Sequence, residues 1–162
     1  MVTTYFGAGT DATLNGNVGR DVLDGSTGKD WLFGGAKKDT LLGGADADHL
    51  EGEGGGDMMM GQHGSDHLDG GGGLDALYGG SGDDSVLGGA DDDRLLWGDS
   101  GDDLLYGGDG YDVVLKGGKG RDLIYGGSGD DALLYGDDGE DSLFGGSGKD
   151  ISLAGGRERD HI

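Results

Sequence analysis

Seventeen aspartates recur along the chain at steps of nine or ten residues: Asp11, Asp21, Asp30, Asp39, Asp48, Asp57, Asp66, Asp75, Asp84, Asp93, Asp103, Asp112, Asp122, Asp131, Asp141, Asp150 and Asp160. A carboxylate is a hard oxygen donor, and rows of carboxylates repel one another unless a cation lies between them. Hard, all-oxygen sites suit Ca²⁺ better than Zn²⁺ or the dehydration-reluctant Mg²⁺. The neighbours of each Asp recur as well, in the pattern G-G-x-G-x-D-x-φ-x with φ apolar. On this alignment the first position fails to be Gly only at Phe6. The fourth fails at Lys37, Asp46, Asp91 and Glu158, and the eighth is polar only at Thr13 and Ser152.

The composition narrows the function further. The 162 residues include 43 Gly, no Pro and no Cys, and 33 acids against 11 bases give a net charge of −22. Without Cys there are no disulfides, iron–sulfur clusters, thiolate zinc sites or Cys nucleophiles. The negative charge repels nucleic acid and anionic membrane, so neither nucleic-acid binding nor membrane insertion is expected. No apolar run approaches the roughly 18 residues of a spanning helix, and Met1 to Thr10 lacks the features of a cleaved signal peptide. High charge with an apolar share of only 33% would ordinarily predict disorder. A repeat that runs from end to end predicts a stacked array instead.

To position the aspartates, each nonapeptide is read as a six-residue turn followed by a three-residue strand. Glycines at the first, second and fourth positions allow backbone angles that other residues adopt only at a cost, with Asn and Asp the best substitutes. Asp46 and Asp91 are therefore mild departures, and Lys37 and Glu158 should be strained. Strand alternation turns the eighth position inward, giving a core one side chain thick: Leu23, Leu32, Leu41, Leu50, Met59, Leu68, Leu77, Val86, Leu95, Leu105, Val114, Ile124, Leu133 and Leu143. Each turn reverses the chain, so odd and even repeats form two parallel sheets. The fold class is all-β, a right-handed parallel β-roll solenoid, with each Asp beside the Asp two repeats away.

The chain resembles the RTX family of calcium-binding nonapeptide repeats; GGSGDDSVL at Gly79 to Leu87 and GGSGDDALL at Gly126 to Leu134 fit its motif at every defined position. The resemblance implies calcium ions in the turns between rungs, held by the seventeen Asp and by turn carbonyls of neighbouring repeats. Seventeen repeats allow fifteen such pairs, hence up to about fifteen Ca²⁺. It also implies a secreted, extracellular module whose calcium-dependent folding assists type I secretion, because extracellular modules bind calcium with dissociation constants of about 10⁻⁴ to 10⁻³ M.

One domain, 1–162, is expected, with mostly nine-residue repeats over 6–96 and alternating nine- and ten-residue repeats, a 19-residue coil, over 97–162. Trp97, Lys116, Tyr135 and Ala154 are read as the added residues, bulging one edge only. Outward positions carry the remaining candidates. His49, Glu51, His67 and Asp69 fall on adjacent rungs, where Zn²⁺ or Ni²⁺ binding competes with ordinary surface pairing. Met58, Met59 and Met60 put two Met side chains outside, which reads as strand filling in preference to a copper site. In the second half, Leu104, Tyr106, Leu123, Tyr125 and Phe144 on one sheet, and Val113, Leu115, Ala132, Leu134, Ile151 and Leu153 on the other, make 104–153 an apolar outer face. It could meet a second copy, a neighbouring domain or a glycan.

Catalysis is not expected, because no nucleophile, acid pair or phosphate loop stands outside the repeat register. The alternative to a structural module is calcium-dependent recognition of a glycan or protein. Ice binding is disfavoured, since Thr occurs only at Thr3, Thr4, Thr10, Thr13, Thr27 and Thr40. Ile162 is the eighth position of the last repeat with no cap beyond it, which fits a piece of a larger protein or end-to-end association.

Overall fold

The computed structural model describes residues 2–162. Seventeen strands alternate between two parallel sheets. One has nine strands, from Val2–Phe6 to Ser152–Gly156, and the other eight, from Thr13–Asn15 to Ser142–Ser147. Among the described residues none is helical. Each strand pairs with the strand two repeats away, so that Val86 lies between Leu68 and Leu105. The architecture is thus the parallel β-roll that the repeat predicts.

The strands are longer than three residues. A typical one, Thr40–Ala45, runs through the seventh to ninth positions and on through the glycines of the next repeat, with Leu41 and Gly43 buried. Two-residue alternation simply continues past the ninth position, which turns the first-position glycine inward along with the eighth-position aliphatic residue. The core is a single column: Leu23, Leu32, Leu41, Leu50, Met59, Leu68, Leu77, Val86, Leu96, Leu105, Leu115, Ile124, Leu134 and Leu143, all fully buried. Tyr5, Leu14 and Leu153 pack against its ends.

Three of the expected core residues change. Leu96, Leu115 and Leu134 point inward, not Leu95, Val114 and Leu133. The tenth residue of the longer repeats enters between the Asp and the strand, where Arg94, Val113, Ala132 and Ile151 sit outside regular strand. It does not follow the strand at Trp97, Lys116, Tyr135 and Ala154, which take the ordinary ninth, outward position. All four insertions still fall on one edge, the edge leading into the nine-stranded sheet. Leu115, Leu134 and Leu153 therefore leave the predicted outer face of that sheet. Its outward residues are Leu95, Trp97, Val114, Lys116, Leu133, Tyr135, Ser152 and Ala154. A one-residue slip exchanges every inward side chain for an outward one, and the larger Leu wins the interior over Val114.

The first repeat is also shifted by one. Phe6 pairs with Asp24 and Leu14 with Leu32. Gly7 is consequently the first position and Ala12 the sixth. Asp11 becomes an exposed fifth-position residue that accepts the Lys29 N–H at 2.9 Å. Turning Leu14 inward rather than Thr13 decides this register.

The register in the second half is checked by paired truncations. In calcium, Leu96→Ala should lose about 2–5 kcal/mol of stability in denaturant unfolding, and Leu95→Ala less than about 1 kcal/mol. The opposite order would restore a nine-residue register there.

Candidate metal centre

The aspartates that follow Asp11 form two ladders, one along each edge of the roll. On one edge stand Asp21, Asp39, Asp57, Asp75, Asp93, Asp112, Asp131 and Asp150. On the other stand Asp30, Asp48, Asp66, Asp84, Asp103, Asp122, Asp141 and Asp160. Within each ladder the backbone N–H of one Asp donates to Oδ1 of the Asp on the next rung, at 2.6 Å from Asp57 to Asp75 and 3.2 Å from Asp131 to Asp150. All adjacent ladder members are joined in this way. Ala12 heads the second ladder, its N–H donating to Asp30 Oδ1 at 2.7 Å.

The second oxygen of each carboxylate has a different fate. Oδ2 of every ladder Asp from Asp21 to Asp141 is buried and has no hydrogen-bond partner. An unpaired buried carboxylate oxygen is costly, so this repeated orphan needs a partner outside the chain's own donors. What it faces is informative. A Cβ placed on Gly43 would lie 2.6 Å from Asp48 Oδ2 and 2.9 Å from the Gly61 carbonyl oxygen. At Gly52 the same atom would meet the Gly70 carbonyl at 2.5 Å and Asp57 Oδ2 at 2.6 Å. From Gly16 to Gly155 a Cβ at the first position would run into the ladder Asp of its own repeat, and at several of them, Gly43 and Gly52 included, into a carbonyl oxygen as well. Among the described residues no three His, Cys, Asp or Glu side chains converge as a metal-binding group. A cation in the ladder would therefore be held by two Asp and by turn carbonyls, a donor set that suits a hard ion such as Ca²⁺.

The glycine requirement divides by position. Gly43 lies outside the left-handed region, so the first position demands Gly for lack of room, not for its backbone angles. The second and fourth positions carry the left-handed angles, as at Gly44 with φ 118° and Gly82 with φ 122°. The expected strain is present at Lys37, φ 87°, whose N–H is tied to the Gly54 carbonyl at 2.6 Å. Glu158 lies outside the left-handed region and carries no such strain. Sequence reasoning missed the second-position residues Asn17, Ser26, Glu53, Gln62, Asp99 and Asp137, all left-handed. Scoring that position as strictly as the fourth would have found them.

The ladder's electrostatics follow from its packing. Burial, reinforced by adjacent carboxylates, pushes Asp48, Asp57, Asp84, Asp93 and Asp122 up to about 7 from the ordinary 3.8, against the lowering effect of the accepted N–H. Asp75, Asp103 and Asp112 rise to about 6 for the same leading reason.

The outer faces behave differently from the edges. His49 Nε2 contacts Glu51 Oε1 at 2.7 Å, and its ring stacks on His67 at 4.8 Å and lies tilted against Trp31 at 4.1 Å. Imidazoles stacked face to face do not aim their nitrogens at one point, and this cluster is surface pairing. On the eight-stranded sheet Tyr106, Tyr125 and Phe144 line up in one column as expected, Tyr125 stacked on Phe144 at 5.0 Å and tilted by 57° to Tyr106 at 6.3 Å.

Comparison with known families gives one result. The model of the RTX calcium-binding nonapeptide repeat matches residues 6–36, 24–59, 34–66, 60–95, 95–114, 114–134 and 133–152. A comparison with curated proteins finds no match.

The raised carboxyls make a pH prediction for the calcium-free chain. A group that holds its proton more tightly when folded favours the fold fully below its unfolded value of 3.8, and that contribution disappears as pH rises through about 7. Calcium-stripped protein should therefore show its greatest sheet content by circular dichroism near pH 4 and lose it toward pH 8. A gain in sheet across that rise would contradict the ladder's burial.

Proposed function

The chain belongs to the family of RTX calcium-binding nonapeptide repeats, and from that premise we propose that it is a calcium-held, non-enzymatic structural module of a secreted protein, forming one continuous roll. The observation that carries this reading is the buried row of unpartnered Oδ2 atoms on both edges. Adjacent members of the two eight-Asp ladders would share an ion, seven pairs on each edge. That makes fourteen sites instead of fifteen, with Asp11 outside them. Asp150 and Asp160, each partly buried, would close their ladders from one side only. When bound, calcium supplies the positive charge that neutralises stacked carboxylates in a chain of net charge −22.

The ladder residues do the rest of the work. Their Oδ1 atoms set the spacing of the rungs, and their Oδ2 atoms and the first-position carbonyls present oxygen to the cradle. Since each cradle is built from two rungs, ion binding and rung stacking are one process, as in small domains folded by metal. Weak, extracellular-type affinity would leave the chain unfolded at cytosolic calcium and folded outside. RTX repeats are typical of secreted proteins, and among the described residues no helix is long and apolar enough to cross a membrane. The non-enzymatic reading is supported by the surface chemistry. His63 Nδ1 meets Ser81 Oγ at 2.9 Å on the exposed surface, and Ser81 Oγ donates to the Gln62 carbonyl.

A second reading, recognition of a protein or glycan, is favoured by the exposed aromatic column of the eight-stranded sheet, where Tyr106 is 41% and Phe144 47% exposed.

Two measurements test the main reading. Circular dichroism should show coil in EDTA and sheet in millimolar Ca²⁺, with Mg²⁺ unable to substitute; a metal-free chain that melts cooperatively at neutral pH would overturn it. Asp84→Ala removes a member shared by two ladder pairs and should raise the calcium midpoint of folding, whereas Asp11→Ala should leave it within error. Equal effects would return Asp11 to the site.

A further inference from the structure

Backbone strain is distributed unevenly along the roll. Among the described residues nine other than Gly adopt left-handed angles, and six of them lie between residues 17 and 62: Asn17, Ser26, Lys37, Asp46, Glu53 and Gln62. Beyond Gln62 only Asp91, Asp99 and Asp137 do so. Identity sharpens the contrast. Asn and Asp tolerate the left-handed region because their short polar side chains bond locally, while Ser, Lys, Glu and Gln do not share that advantage. All four of the latter are in the first segment. Lys37 sits in a turn, and Ser26, Glu53 and Gln62 each follow a first-position glycine at the end of a strand, so the strain falls beside the ladder cradles.

Charge acts in the same direction. Lys37 and Lys38 occupy the turn that leads to Asp39, and the Lys38 charge reaches Asp57 and Asp75 on the next rungs. A fixed cation beside these carboxylates competes with a mobile one. Over residues 98–148 every fourth position is Gly: Gly101, Gly110, Gly120, Gly129, Gly139 and Gly148.

A solenoid does not have to respond as one unit, because each rung touches only its neighbours and local stability varies along the stack. We infer that residues 17–62 form a low-affinity segment of the calcium-binding roll, which folds at a higher calcium concentration than residues 98–148 and opens first when calcium falls. This rests on the calcium-held reading above. The chain would then be a graded calcium sensor, with an ordered second half at intermediate calcium and a complete roll only at saturation. Several ions enter the first segment together, so the strain is divided among them and the separation of midpoints is modest.

The two tryptophans provide the test, since Trp31 lies in the strained segment and Trp97 beyond it. Full-length Trp31→Phe and Trp97→Phe each leave one reporter for a calcium titration followed by fluorescence and, in parallel, by circular dichroism. The Trp31 transition should have its midpoint about two- to threefold above that of Trp97. Replacing the strained residues together, as Ser26→Gly, Lys37→Gly, Glu53→Gly and Gln62→Gly, should bring the two midpoints into coincidence. Coincident midpoints in the parent chain, or an unchanged gap in the fourfold variant, overturn the inference while leaving calcium-dependent folding intact. No calcium response in either tryptophan or in circular dichroism would instead bring down the reading on which it rests. In the unmodified chain, hydrogen exchange gives the same comparison: as calcium is lowered, the amides of Leu41 and Met59 should lose protection before those of Leu105 and Ile124.

Discussion

A carboxylate with one oxygen bonded to the rung above and the other buried without a partner is the unit from which this molecule is built. Oδ1 accepts a backbone N–H and so ties successive coils together, as from Asp48 to Asp66 at 2.8 Å. Oδ2 faces other oxygens. Neutral side chains in its place would remove the repulsion, but they would also remove the hard-oxygen donors on which the proposed cation site depends. Protons and calcium are the two agents that can relieve the same buried oxygen, and they act in opposite pH ranges.

The glycine content follows from that unit. Inward-facing first positions must lack a Cβ because the ladder Asp of the same repeat and a carbonyl from two repeats on occupy the space, as Gly52 illustrates. Second and fourth positions need left-handed angles to bring the chain back over itself. The two demands differ in tolerance: a left-handed site accepts Asp91 or even Lys37 at an energetic cost, whereas a filled cradle accepts nothing larger. With the register corrected, every first position is indeed Gly, from Gly7 to Gly155.

Hydrophobic burial is the weaker partner in this design. One aliphatic column, fully enclosed between two sheets, decides the register of each strand without being thick enough to act as a conventional core. That column decides where the extra residue of the longer repeats goes. By placing Arg94, Val113, Ala132 and Ile151 between Asp and strand, the chain keeps both the Asp ladder and a Leu column continuous and lets the edge take up the slack, as β-bulges do.

The order of the aspartates, the two-sheet roll, the alternation of repeats between sheets and, from Asp21 onward, the pairing of each Asp with the one two repeats away were all legible in the spacing, because a fixed period leaves a stacked array few ways to form. The ladder residues from Asp21 to Asp160 were legible for the same reason. The register of the first repeat and of the ten-residue repeats was not. Asp11 or Ala12, and Leu95 or Leu96, satisfy a linear pattern about equally, and the choice is made by which side chain fills the interior against its neighbours. The division of labour between the two Asp oxygens, and the steric reason for the first glycine, likewise emerge only when coils lie on one another. A sequence specifies which groups recur; which atom of each faces a neighbour's depends on contacts between residues a full coil apart.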